Sequence, residues 1–473
     1  MRRFLASSTG VAACAAFVLP LALPPGASAA TLPTDPRDAP PAPRVQPVQA
    51  APDVPGSTQS LPLPDRPADS ADPETSEPPA SEPPSSEPWS SEAPSEAPSA
   101  RSSAPTRVPE RGRYEPRVRP FSLVGVVWDD AGAELHGTVQ IRTRAAGTGD
   151  WSGWQDIETH TGDHGADPGT AEAASGRLRG ATAPLWVGAS DGVEVRVRGE
   201  GADRELPRGL RLELVDPGQF APGAAEAPGG PGAAGAPGVP ALLPASRTVR
   251  PAAAARPPYP DGFPESFLAG QYAASRPGIT SRKQWGANES LREGGYVYTR
   301  TVKAAFVHHT STGNNYTCAQ APSVLRGIYR YHVVSSGWRD FGYNFAVDKC
   351  GNIYEGRAGG VTKAVLGAHT LGFNSNTMGV AVLGTYNKTG PSAAVETAVA
   401  RLTAWKLGLF QADPRGKVTL TSGGSGKYKK GRKISFNVIS GHRDGVSTDC
   451  PGTRLYNRLP AIRTASADYQ GRG

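Results

Sequence analysis

The sequence predicts an α/β domain with a mixed central sheet flanked by helices, preceded by a small all-β sandwich-like domain and long disordered linkers. The chain has 473 residues, but 47 are Pro, 57 are Gly and only 38% are hydrophobic, so packed domains cannot fill its whole length. Apolar and polar residues alternate in the middle of the chain, whereas strand and helix patterns follow one another toward the C-terminus. The predicted segments are a signal peptide (1–29), a disordered Pro/Ser/Glu-rich spacer (30–113), the β domain (114–216), a Pro/Gly/Ala-rich linker (217–278) and the α/β domain (279–470).

The N-terminal residues have the pattern of a secretory signal. Arg2 and Arg3 precede an apolar run at 11–23, and small residues at 27–29 provide a cleavage site. No later stretch has the ~18 consecutive apolar residues of a membrane span. We therefore expect a secreted, extracellular protein with no stable membrane span.

The predicted spacer is rich in proline and poor in residues that could form a core. Of the 47 prolines, 21 lie between Thr31 and Glu110, where Ser-Glu-Pro-Pro recurs with variations. A tract of this composition cannot bury enough apolar surface to fold alone.

Charge is distributed unevenly along the chain. Residues 279–473 contain 26 Lys/Arg and 10 Asp/Glu, a net charge of +16, whereas the whole chain has a net charge of +7. A basic domain indicates an anionic partner. Because the protein is expected outside the cell, we exclude nucleic acid as that partner.

Alternating residues predict the strands of the β domain. Val139, Ile141 and Thr143 alternate with polar residues, and residues 193–198 and 210–214 repeat the pattern. Several such strands separated by Gly/Asp-rich turns indicate an antiparallel sandwich. Its four tryptophans either fill the core, which large aromatic residues usually do, or stack on sugar rings: Trp128, Trp151, Trp154 and Trp186.

The C-terminal block mixes strands with helices. Its predicted strands are 303–307, 344–347, 353–355 and 377–383, and its predicted helices are 321–335, 392–410 and 455–464. This order indicates a mixed sheet covered by helices.

Three residues of this block form a candidate metal-ligand set. His308 follows the first strand, and His442 and Cys450 share one loop. Two imidazoles and a thiolate are zinc ligands, and three protein ligands leave one position open, as in catalytic zinc sites. A strand directs neighbouring side chains to opposite faces, so we expect His309 to be a core or supporting residue and not a ligand.

Several motifs in residues 279–470 resemble those of the peptidoglycan recognition protein family, which includes zinc-dependent N-acetylmuramoyl-L-alanine amidases (amidase type 2) and the phage T7 lysozyme amidase. The motifs lie at residues 306–310, 337–345, 353–357, 367–369, 376–380, 441–444 and 448–452. The preceding β block looks similar to sequences ahead of amidase domains in secreted actinobacterial proteins.

The resemblance implies roles for residues around the metal. It places Zn²⁺ on His308, His442 and Cys450, with Tyr343 and Thr448 as the catalytic polar groups. Thr448 matches the catalytic animal members, whereas the phage enzyme has a lysine there. The related cytoplasmic anhydro-muropeptide amidases use a glutamate in the strand matching 379–384, and this sequence has none there.

The resemblance also suggests substrate-binding residues. His332, Arg357 and His369 lie in motifs that line the peptide groove in the family, although each can equally be structural. With Cys450 assigned to zinc, we expect Cys318 and Cys350 to form a disulfide, because the compartment is oxidising.

The predicted function is zinc-dependent hydrolysis of the amide bond between N-acetylmuramic acid and L-alanine in bacterial peptidoglycan. The alternatives are a non-catalytic peptidoglycan-binding protein and a wall-associated structural protein. The expected partners are peptidoglycan or muropeptides. The basic segment 427–433 is either a solvated loop, which is the commoner case, or a contact for anionic wall polymers. We expect a monomer that is secreted or associated with the cell wall.

Overall fold

The computed structural model describes residues 55–64, 108–159, 164–201, 204–220, 272 and 274–473. The predicted signal peptide and most of the predicted spacer and linker lie outside these residues. Among the described residues, no helix has both the length and the apolar character needed to cross a membrane.

The N-terminal sheet is antiparallel. Its described strands are β1 (Ser57–Pro62), β2 (Glu110–Glu115), β3 (Phe121–Trp128), β4 (Gly137–Ala145), β5 (Gln155–Ile157), β6 (Gly180–Ala181), β7 (Leu185–Gly199) and β8 (Arg211–Asp216). They are arranged in the order β1-β8-β3-β7-β4-β5, with β2 beside β7 and β6 beside β3. Val139, Ile141 and Thr143 alternate into the buried side, as their sequence pattern predicts. The predicted all-β domain is confirmed.

Strand β1 corrects the predicted spacer. It pairs with β8 along its full length, and the adjacent Leu63 is buried in the core of the β domain. β1 is an edge strand, where Pro62 is tolerated because only one side of the strand needs hydrogen-bond partners. The prediction that residues 30–113 are disordered is therefore wrong for Ser57–Pro62, and it is also wrong for the start of β2 at Glu110.

The tryptophans of the β domain divide between the two interpretations. Trp128 and Trp186 are buried in hydrophobic clusters. Trp151 and Trp154 are only half-buried, and the guanidinium of Arg196 lies 4.0 Å from the ring centre of Trp154.

The C-terminal sheet has five strands in the order β11-β10-β12-β9-β15. They are β9 (Ala304–His309), β10 (Phe345–Val347), β11 (Ile353–Glu355), β12 (Thr377–Val382) and β15 (Ile439–Gly441), and β13 (Lys417–Thr421) and β14 (Lys433–Asn437) form a separate hairpin. β10, β12, β9 and β15 are parallel, and β11 is antiparallel to β10.

Helices cover both faces of this sheet. They are α1 (Arg282–Trp285), α2 (Ala321–Arg330), α3 (Ala393–Gly408), α4 (His442–Gly445), α5 (Thr453–Tyr456) and α6 (Leu459–Tyr469). Val380 and Val382 pack in the cluster with α3 and α6, whereas Ala381 packs in the cluster with α2. The predicted mixed sheet flanked by helices is confirmed.

Two helices differ from the sequence prediction. The predicted helix 321–335 is α2 followed by a π-helical turn, Tyr331–Ser335. The predicted helix 455–464 is divided into α5 and α6, because Pro460 lies in the first turn of α6, where proline is favoured.

The two sheets pack against each other through α2. Leu123 and Trp186 of the β domain share a hydrophobic cluster with Ile328 of α2. The hydroxyl of Tyr331 lies 3.2 Å from the carbonyl oxygen of Thr182. A Cβ at Gly125 would overlap this hydroxyl, so the close approach requires glycine there.

Candidate metal centre

Two adjacent parallel strands position the first two predicted ligands. Gly441 at the end of β15 lies opposite Val307 of β9. The next residues along the chain are His442, at the start of α4, and His308, and their ring centres are 4.4 Å apart. Strand register alone thus brings the two imidazoles together.

Cys450 completes the predicted set. Its Sγ lies 3.8 Å from Nδ1 of His308. Cys450 is 3% exposed, and both histidines are fully buried. Nitrogen and sulfur donors in such a buried cluster match the ligand preference of zinc, so the residues present fit the implied metal.

A hydroxyl group orients His308. Thr370 Oγ1 lies 3.4 Å from Nε2 of His308 and 3.0 Å from Nδ1 of His369. With a proton on Nε2 of His308, the lone pair of Nδ1 is free on the side of the ring that is near Sγ of Cys450. This is the arrangement of a metal-binding imidazole. Burial lowers the pKa of His308 well below its ordinary value, so this ring is neutral.

His309 lies outside the donor set. Its Nε2 is 2.9 Å from Ser311 Oγ, and its Nδ1 accepts a hydrogen bond of 3.3 Å from the backbone N–H of Tyr386. Its own backbone N–H donates to Cys450 Sγ at 3.4 Å. His309 therefore supports the thiol through its backbone, and burial lowers the pKa of its ring to about 3.

Of the three predicted ligands, Cys450 lines a cavity of about 500 Å³ to which both domains contribute residues. Tyr343 and Thr448 lie on its C-terminal-domain side, together with Cys450. The Tyr343 ring centre is 5.1 Å from that of His308, and burial raises the pKa of its hydroxyl, which stays protonated. Thr448 Oγ1 accepts a 3.2 Å hydrogen bond from the backbone N–H of Cys450.

The three predicted substrate-binding residues occupy different surroundings. His332 lines the cavity and stacks on Trp338, with ring centres 4.4 Å apart. His369 is fully buried behind His308. Arg357 is paired with Glu172 of the β domain, with nitrogen–oxygen distances of 2.8 and 3.0 Å.

One residue of the donor cluster was not predicted from the sequence. His164, in the segment between β5 and β6, joins His308, His442 and Cys450, and the ligand atoms of the four residues all lie within 4.8 Å of one another. No local pattern marks His164, because its neighbours in space come from the other domain. Thr370, which orients His308, also has no signal in the sequence beyond its position next to the motif at 367–369.

A disulfide joins Cys318 to Cys350, with Cα atoms 6.2 Å apart, as predicted. It connects the segment after β9 to the turn between β10 and β11. Cys450 remains a buried thiol.

Comparison with known proteins divides the chain in two. Residues 68–229 match a family described as Rv3811 N-terminal galactose-binding domain-like, and residues 298–453 match the N-acetylmuramoyl-L-alanine amidase family.

Similar proteins cover the C-terminal part of the chain. Peptidoglycan-recognition protein SC2 of Drosophila simulans is 32% identical over 181 residues, which are 38% of this chain and 84% of that protein. The human N-acetylmuramoyl-L-alanine amidase is 32% identical over 204 residues, 42% of this chain and 29% of that protein. Among solved structures, Drosophila PGRP-LB aligns with 39% of this chain and 93% of its own, at 24% identity and a TM-score of 0.31.

Proposed function

The chain belongs to the peptidoglycan-recognition protein family, and from this premise we propose that it is a zinc-dependent amidase that cleaves the bond between N-acetylmuramic acid and L-alanine in bacterial peptidoglycan. The observation that carries the proposal is the Cys450 thiol beside the imidazoles of His308 and His442, at the wall of a cavity. A protein that only binds the wall needs a groove but has no use for a buried cluster of zinc donors beside it.

His308, His442 and Cys450 would hold the zinc. Zinc, when bound, supplies a Lewis acid that polarises a carbonyl group and lowers the pKa of a water molecule toward ~7. Thr370 fixes the ring of His308 through its Nε2. The backbone N–H of His309 donates to the sulfur of Cys450 and would help to stabilise the thiolate form that zinc binds.

Tyr343 and Thr448 would act on the substrate carbonyl. The Tyr343 hydroxyl is protonated and can donate a hydrogen bond to an amide oxygen as negative charge develops on it. Thr448 Oγ1 accepts a hydrogen bond from the backbone N–H of Cys450, so its own hydroxyl proton is available to a second acceptor in the cavity. Such donors act mainly in the transition state and therefore raise the rate of cleavage more than the affinity.

The remaining predictions fit the same proposal. A C-terminal domain with a net charge of +16 suits an anionic wall, and segment 427–433 extends from the β13–β14 hairpin as an additional contact for wall polymers. His332 on the cavity wall is a candidate contact for the substrate. We propose a secreted monomer that acts at the cell wall on peptidoglycan or its muropeptides.

The test is digestion of purified sacculi by the zinc-loaded protein, followed by labelling of newly exposed amino groups of L-alanine. We expect these amino groups to appear, to be lost with a chelator and to return with zinc. Cys450→Ser is expected to abolish the release of these amino groups. The matched control is Cys318→Ser, which removes a cysteine that is not a predicted metal ligand. If the wild type and His164→Ala both bind sacculi without cleaving them, the result would favour the non-catalytic peptidoglycan-binding alternative.

A further inference from the structure

The β domain inserts a histidine into the donor cluster of the C-terminal domain. The ring centre of His164 is 4.2 Å from that of His442 and 5.6 Å from that of His308. Its ligand atom is within 4.8 Å of the ligand atoms of those histidines and of Cys450. The four donors, three nitrogens and one sulfur, are the number and type that a closed tetrahedral zinc site contains.

A closed set of four donors conflicts with catalysis. Cleavage needs one position at the metal for water or substrate, and three protein ligands leave that position open. His164 faces the cavity from the β-domain side. It therefore lies where the reacting groups have to bind.

The segment that carries His164 is held by polar contacts to the C-terminal domain. The Asp167 carboxylate accepts hydrogen bonds from the backbone N–H of Gly372 at 2.8 Å and from Nδ2 of Asn374 at 2.6 Å. Asn374 Nδ2 also donates to the carbonyl oxygen of Gly165 at 2.9 Å. These bonds fix the backbone on the C-terminal side of His164.

Asn374 connects this anchor to the metal centre. Its Oδ1 accepts hydrogen bonds from the backbone N–H groups of His369 and Thr370, at 2.7 and 3.0 Å. Thr370 in turn orients His308. The same asparagine thus organises the segment that carries His164 and the residue that supports a predicted ligand.

A second polar contact, at Glu172, joins this segment to the C-terminal domain. Glu172 of the β domain forms a buried ion pair with Arg357, with both side chains 6% exposed or less. Its Oε1 also accepts a hydrogen bond from the backbone N–H of Arg339. Although burial raises the pKa of Glu172, the guanidinium of Arg357 leaves it below its ordinary value, so the carboxylate is charged.

We propose that the β domain holds the protein in a latent state. In this state His164 is a displaceable fourth ligand of the metal, and the carboxylate of Glu172 pairs with the guanidinium of Arg357 and keeps it from binding substrate. This inference rests on the proposed zinc site. Activation requires the segment 164–172 to move away from the C-terminal domain, which opens one coordination position and frees Arg357 at the same time. The β domain is then a regulator of the site and not only a carrier for it.

The test uses the full chain loaded with Co²⁺, whose visible absorption reports its ligands, and thiocyanate as a probe for an open position. We expect thiocyanate to change the spectrum of the wild-type protein only slightly and to change that of His164→Ala strongly. The matched control, His136→Ala, removes a histidine of the same domain that is not part of the donor cluster and is expected to behave like the wild type. An identical response of wild type and His164→Ala to thiocyanate would overturn the latent state.

A second variant and a second readout guard against misfolding of His164→Ala. Asp167→Ala keeps the histidine but removes its anchor, and we expect its response to thiocyanate to lie between those of the wild type and His164→Ala.

Hydrolysis of a soluble muropeptide is the second readout. We expect it to be about tenfold faster in His164→Ala than in the wild type, because a tenfold difference corresponds to a wild type in which roughly nine-tenths of the molecules are closed. A cobalt site that opens in His164→Ala without any hydrolysis would support the role of His164 but overturn the proposed amidase function. Hydrolysis at equal rates in the wild type and both variants would overturn the latent state and leave the amidase function standing.

Discussion

The carboxylate of Glu172 and the guanidinium of Arg357, 185 positions apart in the sequence, form a two-pronged ion pair with distances of 2.8 and 3.0 Å. The pair joins the β domain to a residue that was predicted to bind substrate. Because Glu172 occupies both arms of the guanidinium, Arg357 cannot pair with a substrate carboxylate in this arrangement. Binding of the predicted substrate at Arg357 therefore requires the β domain to move.

Removal of Glu172 is expected to destabilise the protein strongly. Glu172→Ala leaves the charge of Arg357 buried without its partner, and breaking a buried pair from one side typically costs about 3–5 kcal/mol. Urea unfolding followed by tryptophan fluorescence measures the loss.

The exposed pair between Arg177 and Glu293 provides the matched control, since it also joins the two domains. Arg177→Gln is expected to cost no more than about 1 kcal/mol, because exposed ion pairs contribute little. Equal losses for Glu172→Ala and Arg177→Gln would show that burial of the Glu172 pair is unimportant.

Tyr343→Phe is expected to separate metal binding from cleavage. The substitution removes only the hydroxyl of this cavity-lining residue, so zinc content should be unchanged while kcat falls about 10²–10³-fold. Steady-state hydrolysis of a muropeptide and metal analysis give the two values. Tyr329→Phe, which removes a buried hydroxyl bonded to the carbonyl oxygen of Asn288, is the control and should retain full kcat. Undiminished turnover in Tyr343→Phe would exclude this residue from the reaction.

Thr370→Val is expected to weaken zinc binding. The hydroxyl that fixes the ring of His308 is lost, and loss of such a supporting group typically reduces metal affinity about 10–100-fold. Competition with a chromogenic chelator measures the affinity. Thr370→Ser retains the hydroxyl and should restore binding, so weak binding in both variants would indicate a packing defect instead.

Sequence reasoning succeeded where a local pattern carries the information. The alternation around Val139 predicted the β domain, and the run before His308 predicted β9, an inner strand of the second sheet. It failed at β1, because the proline content of the surrounding tract hides one short edge strand. It also missed His164, since nothing in the neighbourhood of that residue indicates that it meets His442 from another domain.

The buried Lys406 should make stability depend on pH. Its ammonium donates to the carbonyl oxygens of Val361 and Lys363 at 2.6 and 2.7 Å, and burial lowers its pKa to about 7. Unfolded lysine titrates near ~10.4, so the unfolded state binds more protons between these values. The free energy of unfolding should therefore be lowest below pH ~7, rise as the pH increases above about 7, and reach its full value only above the pKa of lysine in the unfolded state.

Urea unfolding of the wild type and of Lys406→Met at several pH values measures this effect. The difference between the two proteins should change by up to about 1.4 kcal/mol per pH unit above pH ~7 and stay constant below it. Lys430→Met, at an exposed position, should show no such slope against the wild type. A flat difference for Lys406→Met across this range would mean that its ammonium is not destabilised by burial.

The central claim, that this chain is a zinc amidase, is tested most directly by mass spectrometry of one defined muropeptide after incubation with the zinc-loaded wild type, His164→Ala and Cys450→Ser. We expect two products, an N-acetylmuramic acid with a free lactyl carboxylate and a stem peptide with a free amino group on L-alanine. They should form fastest with His164→Ala and not at all with Cys450→Ser. Recovery of the intact muropeptide from zinc-loaded wild type and His164→Ala alike would contradict the claim.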